Sequence, residues 1–248
     1  MSLREIISAN THTDHPIRGP LGGESVRKLL DRTLRRGDER VLDLGCAEGE
    51  WLARAVDGHP GIRAVGVDLD PEAIARGRAR FGDRIELHAG DANAFTSPDG
   101  EPFDVVLCVG STHAFGGLLP TLQAARKHLA PGGQVLVGEG FWEREPDPAT
   151  VEIFCGGGGY PYYDLPTTLN SAVAEGWTPL YGHISTPYEL DEYEWSWTGA
   201  LSRWALDHPD HPHSTEALDA ATAHRDEWLN SYRGTFGFVT TLLRRTAD

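Results

Sequence analysis

The chain has 248 residues, 40% of them apolar and 24% charged, which suits one α/β domain spanning 1–248 with a full core better than two large domains. Its formal charge of −15 opposes approach to a phosphate backbone or an anionic membrane surface, so nucleic acid and membrane are poor partners. No stretch approaches the length of a membrane span, and Met1-Ser2-Leu3-Arg4-Glu5 lacks the basic and apolar regions of a secretory signal, so the expected location is the cytoplasm. Cys46, Cys108 and Cys155 are odd in number and lack metal-type spacing, and they read as reduced, mostly buried thiols.

In chain order, residues 1–37 read as a lid and leading helix, with an amphipathic helix over 24–35 behind a Gly/Pro-rich, mobile connection at 18–23. Residues 38–140 then alternate short β-branched apolar runs with amphipathic stretches, the signature of a parallel sheet covered by helices. Strands are expected at 40–44, 62–68, 84–88, 103–109 and 134–137, with helices at 50–56, 71–80 and 118–129. Asp70 caps the second of these helices and Pro71 opens it, while Pro131-Gly132-Gly133 gives the turn before the fifth strand. In 141–248 the character changes, because all seven tyrosines and six of the seven tryptophans lie there. Two final strands, 178–185 and 235–243, would add an antiparallel edge and bring the sheet to seven strands. Between them, helices at 189–206 and 214–232 would form an aromatic-rich cap over about 186–232. The runs 156–159 and 207–213 read as loops.

The chemistry-bearing motif is Val41-Leu42-Asp43-Leu44-Gly45-Cys46-Ala47-Glu48-Gly49, an apolar strand that ends in an acid and enters a helix through spaced glycines. Glycine permits the tight turn and close backbone approach, and a helix start presents free N–H groups to a polar ligand. About twenty residues on, Val65-Gly66-Val67-Asp68 ends the second strand with an acid placed to accept both hydroxyl protons of a ribose. After the third strand, Gly90-Asp91-Ala92 lies at the carboxyl edge where open α/β sheets bind ligands, and Asp91 could accept adenine amino hydrogens. Each Asp alone is as readily a turn or cap residue, and their joint order is what carries specificity.

From 40 to 138 these motifs together resemble the class I S-adenosylmethionine (SAM)-dependent methyltransferases, of small-molecule type. The 41–49 segment is similar to their glycine-rich first motif, Gly66-Val67-Asp68-Leu69-Asp70 to the ribose motif and Gly90-Asp91-Ala92 to the adenine motif. Phe103-Asp104-Val105-Val106-Leu107-Cys108 is similar to their fourth strand, and Leu129-Ala130-Pro131-Gly132-Gly133 to the turn before their fifth. The resemblance implies a Rossmann-like sheet, SAM as cofactor, and cofactor contacts from Asp43, Gly45, Cys46, Ala47, Gly49, Asp68, Leu69, Asp91, Ala92, Gly110 and Ser111. A Rossmann dehydrogenase would need a third glycine where Glu50 stands. The family usually has glycine where this chain has Ala47, and a methyl group there narrows the expected pocket.

On the substrate side, Gly110-Ser111-Thr112-His113-Ala114-Phe115 follows the fourth strand, and His113 is the general-base candidate, since histidine ordinarily titrates near neutrality. Glu139, Trp142, Tyr160 and Trp195 are candidates to bind the acceptor, with aromatic rings suited to an apolar or cationic group. His12, His15 and Arg18 would belong to a lid over the cofactor. No metal is expected: prolines hold the His-rich run 207–213 extended, and 110–116 lacks the acidic pair of metal-dependent relatives. Methyl transfer to a small molecule is the main expectation. Its rivals are the same fold repurposed for a displacement or ring closure, which Ala47 and the large cap keep open, and a non-catalytic SAM- or metabolite-binding module. An exposed aromatic patch on the cap would be a natural homodimer surface.

Overall fold

A computed structural model describes residues 2–156 and 159–246. Seven strands form one sheet: β1 (Arg40–Leu44), β2 (Arg63–Asp68), β3 (Glu86–Ala89), β4 (Phe103–Val109), β5 (Leu129–Trp142), β6 (Trp177–Ile184) and β7 (Phe236–Arg245). Their order is β3-β2-β1-β4-β5-β7-β6. The first five run parallel, and β7 inserts antiparallel between β5 and β6. The expected Rossmann-like methyltransferase sheet of seven strands with an antiparallel edge is therefore the one found.

Helices α2 (Gly23–Thr33), α3 (Glu50–Gly58) and α4 (Pro71–Phe81) cover one face of the sheet through Leu29, Leu30, Leu52 and Ile74. Helices α5 (Leu118–Arg126) and α7 (Leu165–Ala174) cover the other through Leu122 and Ala172. The central strands are buried on both faces. Leu42, Leu44, Val106 and Leu107 are fully buried, each stabilising the fold by about 1.5–3 kcal/mol of transfer free energy. Asp70 caps α4 by accepting the N–H groups of Glu72 and Ala73, with Pro71 in the first turn, as the sequence indicates.

Three helices lie where the sequence reading had none. They are α1 (Leu3–Asn10), α6 (Pro148–Cys155) and α7. Each carries a legible start: a Ser2/Glu5 capping box, Asp147 before Pro148, and Asp164 before Leu165-Pro166. Strand β5 is also longer than expected, because β7 pairs with it from Gln134 to Trp142. Of the loop expected at 156–159, Gly157 and Gly158 lie outside the described residues.

The cap is α8 (Pro187–Asp207), α9 (Ser214–Glu227) and a π-turn over Trp228–Tyr232. Helix α1 packs on it, with Ile6 among Leu201, Ala205, Ala217 and Ala221. The connection at 18–23, expected to be mobile, is instead fixed. Ile17 and Leu21 are buried in the main core, and the Trp51 indole donates to the Ile17 carbonyl at 3.2 Å. Glu189 at the start of α8 accepts the Gly22 N–H at 2.8 Å and the Thr186 N–H at 2.9 Å. Despite burial, these donors hold its carboxyl down at about 2.

Candidate functional site

Two adjoining cavities open at the carboxyl ends of the parallel strands. The first, about 700 Å³, is built by the strand ends of the sheet. At its floor the N–H groups of Gly45 and Cys46 donate to the Val67 carbonyl, and the Ser111 hydroxyl donates to the Gly45 carbonyl at 3.0 Å. Gly45 has φ +84, and a Cβ there would stand 2.5 Å from the Ser111 side chain, so only glycine fits. Ala47 adopts the left-handed φ of +49, and its N–H donates to Asp68 Oδ2 at 2.7 Å. The expected narrowing by the Ala47 methyl leaves an open cavity.

Asp43, Asp68 and Asp91 all line this cavity. Asp43 is 4% exposed and has no side-chain hydrogen bond among the described residues; burial, then the charge of Asp68, push its carboxyl up to about 8. Asp91 is exposed, and the Asn93 N–H lowers its carboxyl. Between them Leu69 is 75% exposed, an apolar surface facing a cavity edged by carboxylates. His12, Ile17, Arg18 and Tyr193 also line it, which brings His12 and Arg18 of the expected lid to the cavity but not His15. Burial, then Arg18 and His15, lower His12 to about 3, so its ring is neutral.

This donor set fits a nucleoside carrying a cationic group. Vicinal hydroxyls would meet Asp68, an amino group Asp91, a flat ring Leu69, and a positive centre the unpartnered Asp43. Asp43, Gly45, Cys46, Ala47, Asp68, Leu69, Asp91, Ala92, Gly110 and Ser111 all line the cavity. Gly49 does not; it caps α3 at φ +86, and a Cβ there would meet Ile85 of the core at 2.6 Å. Sequence reading placed it in the motif by spacing, and the structure gives it a packing role.

The second cavity, about 760 Å³, lies between the sheet edge and the cap. It shares Arg18, Gly110, His113 and Tyr193 with the first, so His113 stands at the junction of the two. Its aromatic walls are Tyr162, Tyr193, Trp228, Tyr232, Phe236 and Phe238. Glu139 and Tyr160 line it, as expected of acceptor-binding residues. Trp142 and Trp195 do not. Trp142 is wedged edge-on among Phe154, Tyr162 and Phe236, and Trp195 is 53% exposed on the outer side of α8 against Trp228. Glu139 is buried. Burial lifts its carboxyl to about 7, with hydrogen bonds from Tyr160, the Gly140 N–H and Thr112 opposing that rise. Thr112 is among the lining residues that the sequence reading did not single out; its signal was its place between Ser111 and His113 in the loop after β4.

The fold and the first cavity define a class, a Rossmann-like sheet with an open, acid-edged cavity at its carboxyl edge. The family description "Methyltransferase domain" matches residues 42–135. The "Ribosomal RNA large subunit methyltransferase E" of Desulfatibacillum aliphaticivorans is 33% identical over 52% of this chain and 72% of its own. YjhP of Escherichia coli is 26% identical over 95% of this chain and 96% of its own length. The crystal structure of a SAM-dependent methyltransferase from Geobacter sulfurreducens in complex with S-adenosyl-L-homocysteine superposes with a TM-score of 0.85. It is 28% identical and covers 96% of this chain and 97% of that one. The chain belongs to the class I SAM-dependent methyltransferases. Among the described residues no helix is long and apolar enough to cross a membrane.

Proposed function

We propose that the chain binds SAM in the first cavity and methylates a small molecule held in the second. The observation that carries this reading is the junction: one open nucleoside-type cavity and one aromatic cavity share His113, Gly110 and Arg18 at the carboxyl edge of the sheet. Bound SAM supplies an electrophilic methyl group on a sulfonium. The chain's own part is to hold and orient. Asp68 engages the ribose hydroxyls, Asp91 the adenine amino group, and Leu69 packs on the ring. Gly45 to Ala47 and Gly110-Ser111 bring backbone close to the methionine portion, and Asp43 offers a desolvated carboxylate to positive charge.

The second cavity has the volume of a small-molecule site and is roofed by the cap, which suits a compact acceptor. One relative is named for ribosomal RNA, but a net charge of −15 opposes a polyanion. Holding the acceptor heteroatom in line with the methyl group would supply most of the rate, through orientation. Buried, reduced Cys46 and Cys108 suit the cytoplasm.

Calorimetry with S-adenosylhomocysteine tests the cofactor half of this reading. One-to-one binding in the micromolar range is expected, and no heat at about millimolar ligand overturns it.

A further inference from the structure

The floor of the second cavity holds a cluster that the chemistry above does not use. Glu139 is 4% exposed. Its Oε1 accepts from the Tyr160 hydroxyl at 2.8 Å, the Gly140 N–H at 2.9 Å and the Thr112 hydroxyl at 3.3 Å. Its Oε2 is buried and has no partner among the described residues. The Thr112 and Tyr160 hydroxyls are 3.0 Å apart, and all three side chains line the cavity. No ion pair among the described residues reaches Glu139, so the donors compensate one oxygen and leave the other without a counter-charge.

The other acids and arginines of the wall balance in number, Glu143, Asp191 and Glu194 against Arg18, Arg144 and Arg233. Glu194 is held by His224 at 2.7 Å and by the Tyr232 hydroxyl at 3.0 Å. Arg233 is taken up by two bonds to Asp191, and Arg18 by Glu48. Arg144 and Glu143 are both exposed. A buried carboxylate lacking a counter-charge, aromatic faces, and Arg18 and Arg233 held in ion pairs make a cavity that draws a cation.

We propose that the methyl acceptor is an amine, with the Glu139–Tyr160–Thr112 cluster receiving its N–H groups and Glu139 taking the proton that frees the nitrogen lone pair. This rests on the methyltransferase reading. The ammonium gives one proton to the Glu139 carboxylate. The freed lone pair forms the nitrogen–carbon bond while the electron pair of the breaking carbon–sulfur bond returns to sulfur. The methylated ammonium leaves, and Glu139 returns its proton to water. With its carboxyl near 7, Glu139 can both accept and release that proton at neutral pH. His113 is exposed, and no described side chain hydrogen-bonds its ring, so it lacks the orientation that Glu139 has.

The test uses the intact chain saturated with S-adenosylhomocysteine and three probes of one shape, phenethylamine, 2-phenylethanol and phenylacetate, followed by calorimetry or NMR titration. Phenethylamine should bind at least about tenfold tighter than either of the others. In Glu139→Gln, which keeps the shape and the Oε1 acceptor, that preference should fall below about threefold while S-adenosylhomocysteine affinity stays within about threefold of wild type. Equal or tighter binding of the alcohol or carboxylate, no binding of the amine, or a preference that survives Glu139→Gln overturns the proposal. If Glu139→Gln does not fold, the wild-type ranking alone decides. Failure to bind S-adenosylhomocysteine strikes the methyltransferase reading instead, so the two failures are distinguishable.

Discussion

Asp43→Asn should stabilise the chain against unfolding, by an amount that grows with pH. Asp43 is 4% exposed on β1, and burial, then the charge of Asp68 on β2, raise its carboxyl from an ordinary 3.8 to about 8. The folded state therefore keeps a proton that the unfolded chain has already lost, and stability falls as pH rises through that window. Between about pH 5 and about pH 8 this costs on the order of 4 kcal/mol. Asparagine cannot ionise and escapes the cost. His12 and Glu139, which are not among the groups that shift Asp43, remain in both proteins, so their contributions cancel in the comparison. Urea unfolding of both proteins without ligand, at about pH 5, 6.5 and 8, reads the difference directly. A stability difference that stays constant within about 1 kcal/mol across that range refutes the reasoning. The same substitution should weaken S-adenosylhomocysteine binding about tenfold or more, because the buried carboxylate is retained at a stability cost only where it meets a ligand.

Gly45→Ala should lower stability by about 2–3 kcal/mol and cut S-adenosylhomocysteine affinity, since its Cβ would sit 2.5 Å from Ser111 at φ +84; thermal unfolding near wild type refutes this. Ala47→Gly relieves a left-handed alanine at φ +49, worth about 1 kcal/mol, and loosens the unfolded chain by a similar amount. Its melting temperature should therefore stay within a few degrees of wild type, with S-adenosylhomocysteine bound at least as tightly; several-fold weaker binding in calorimetry counts against the turn's role. Once an acceptor is in hand, His113→Ala should slow turnover less than about tenfold and Glu139→Gln by about a hundredfold or more, and the reverse order in steady-state kinetics would return the base role to His113.

The residues that line the first cavity were legible because their signals are local. A strand ending in Asp43, glycines spaced for a tight turn, and Asp68 and Asp91 at successive strand ends are fixed by backbone sterics and by the rule that parallel strands present their carboxyl ends to ligand. The same locality explains the correct bounds of β1 and β4. The acceptor side was half legible. Tyr160 and Glu139 line the second cavity, whereas Trp142 and Trp195, equally suited by residue type, turned to an aromatic cluster and to solvent. Residue type cannot say which way a ring faces when the facing is set by a helix that packs from elsewhere in the chain.

The alternation of strands and helices, the glycine turn and acids at the strand ends, and the acidic balance that disfavours a polyanionic partner follow from sequence alone, because each depends on short-range pattern or on composition. The burial of Glu139, the meeting of two cavities at His113 and the fixing of Ile17 and Leu21 beneath the cap were decided by tertiary structure. Strand β7, about a hundred residues beyond β5, covers it, and the 159–164 segment brings Tyr160 over the Glu139 carboxylate. Contacts of that separation carry no periodic trace, and only the folded chain states the dielectric in which a carboxylate titrates.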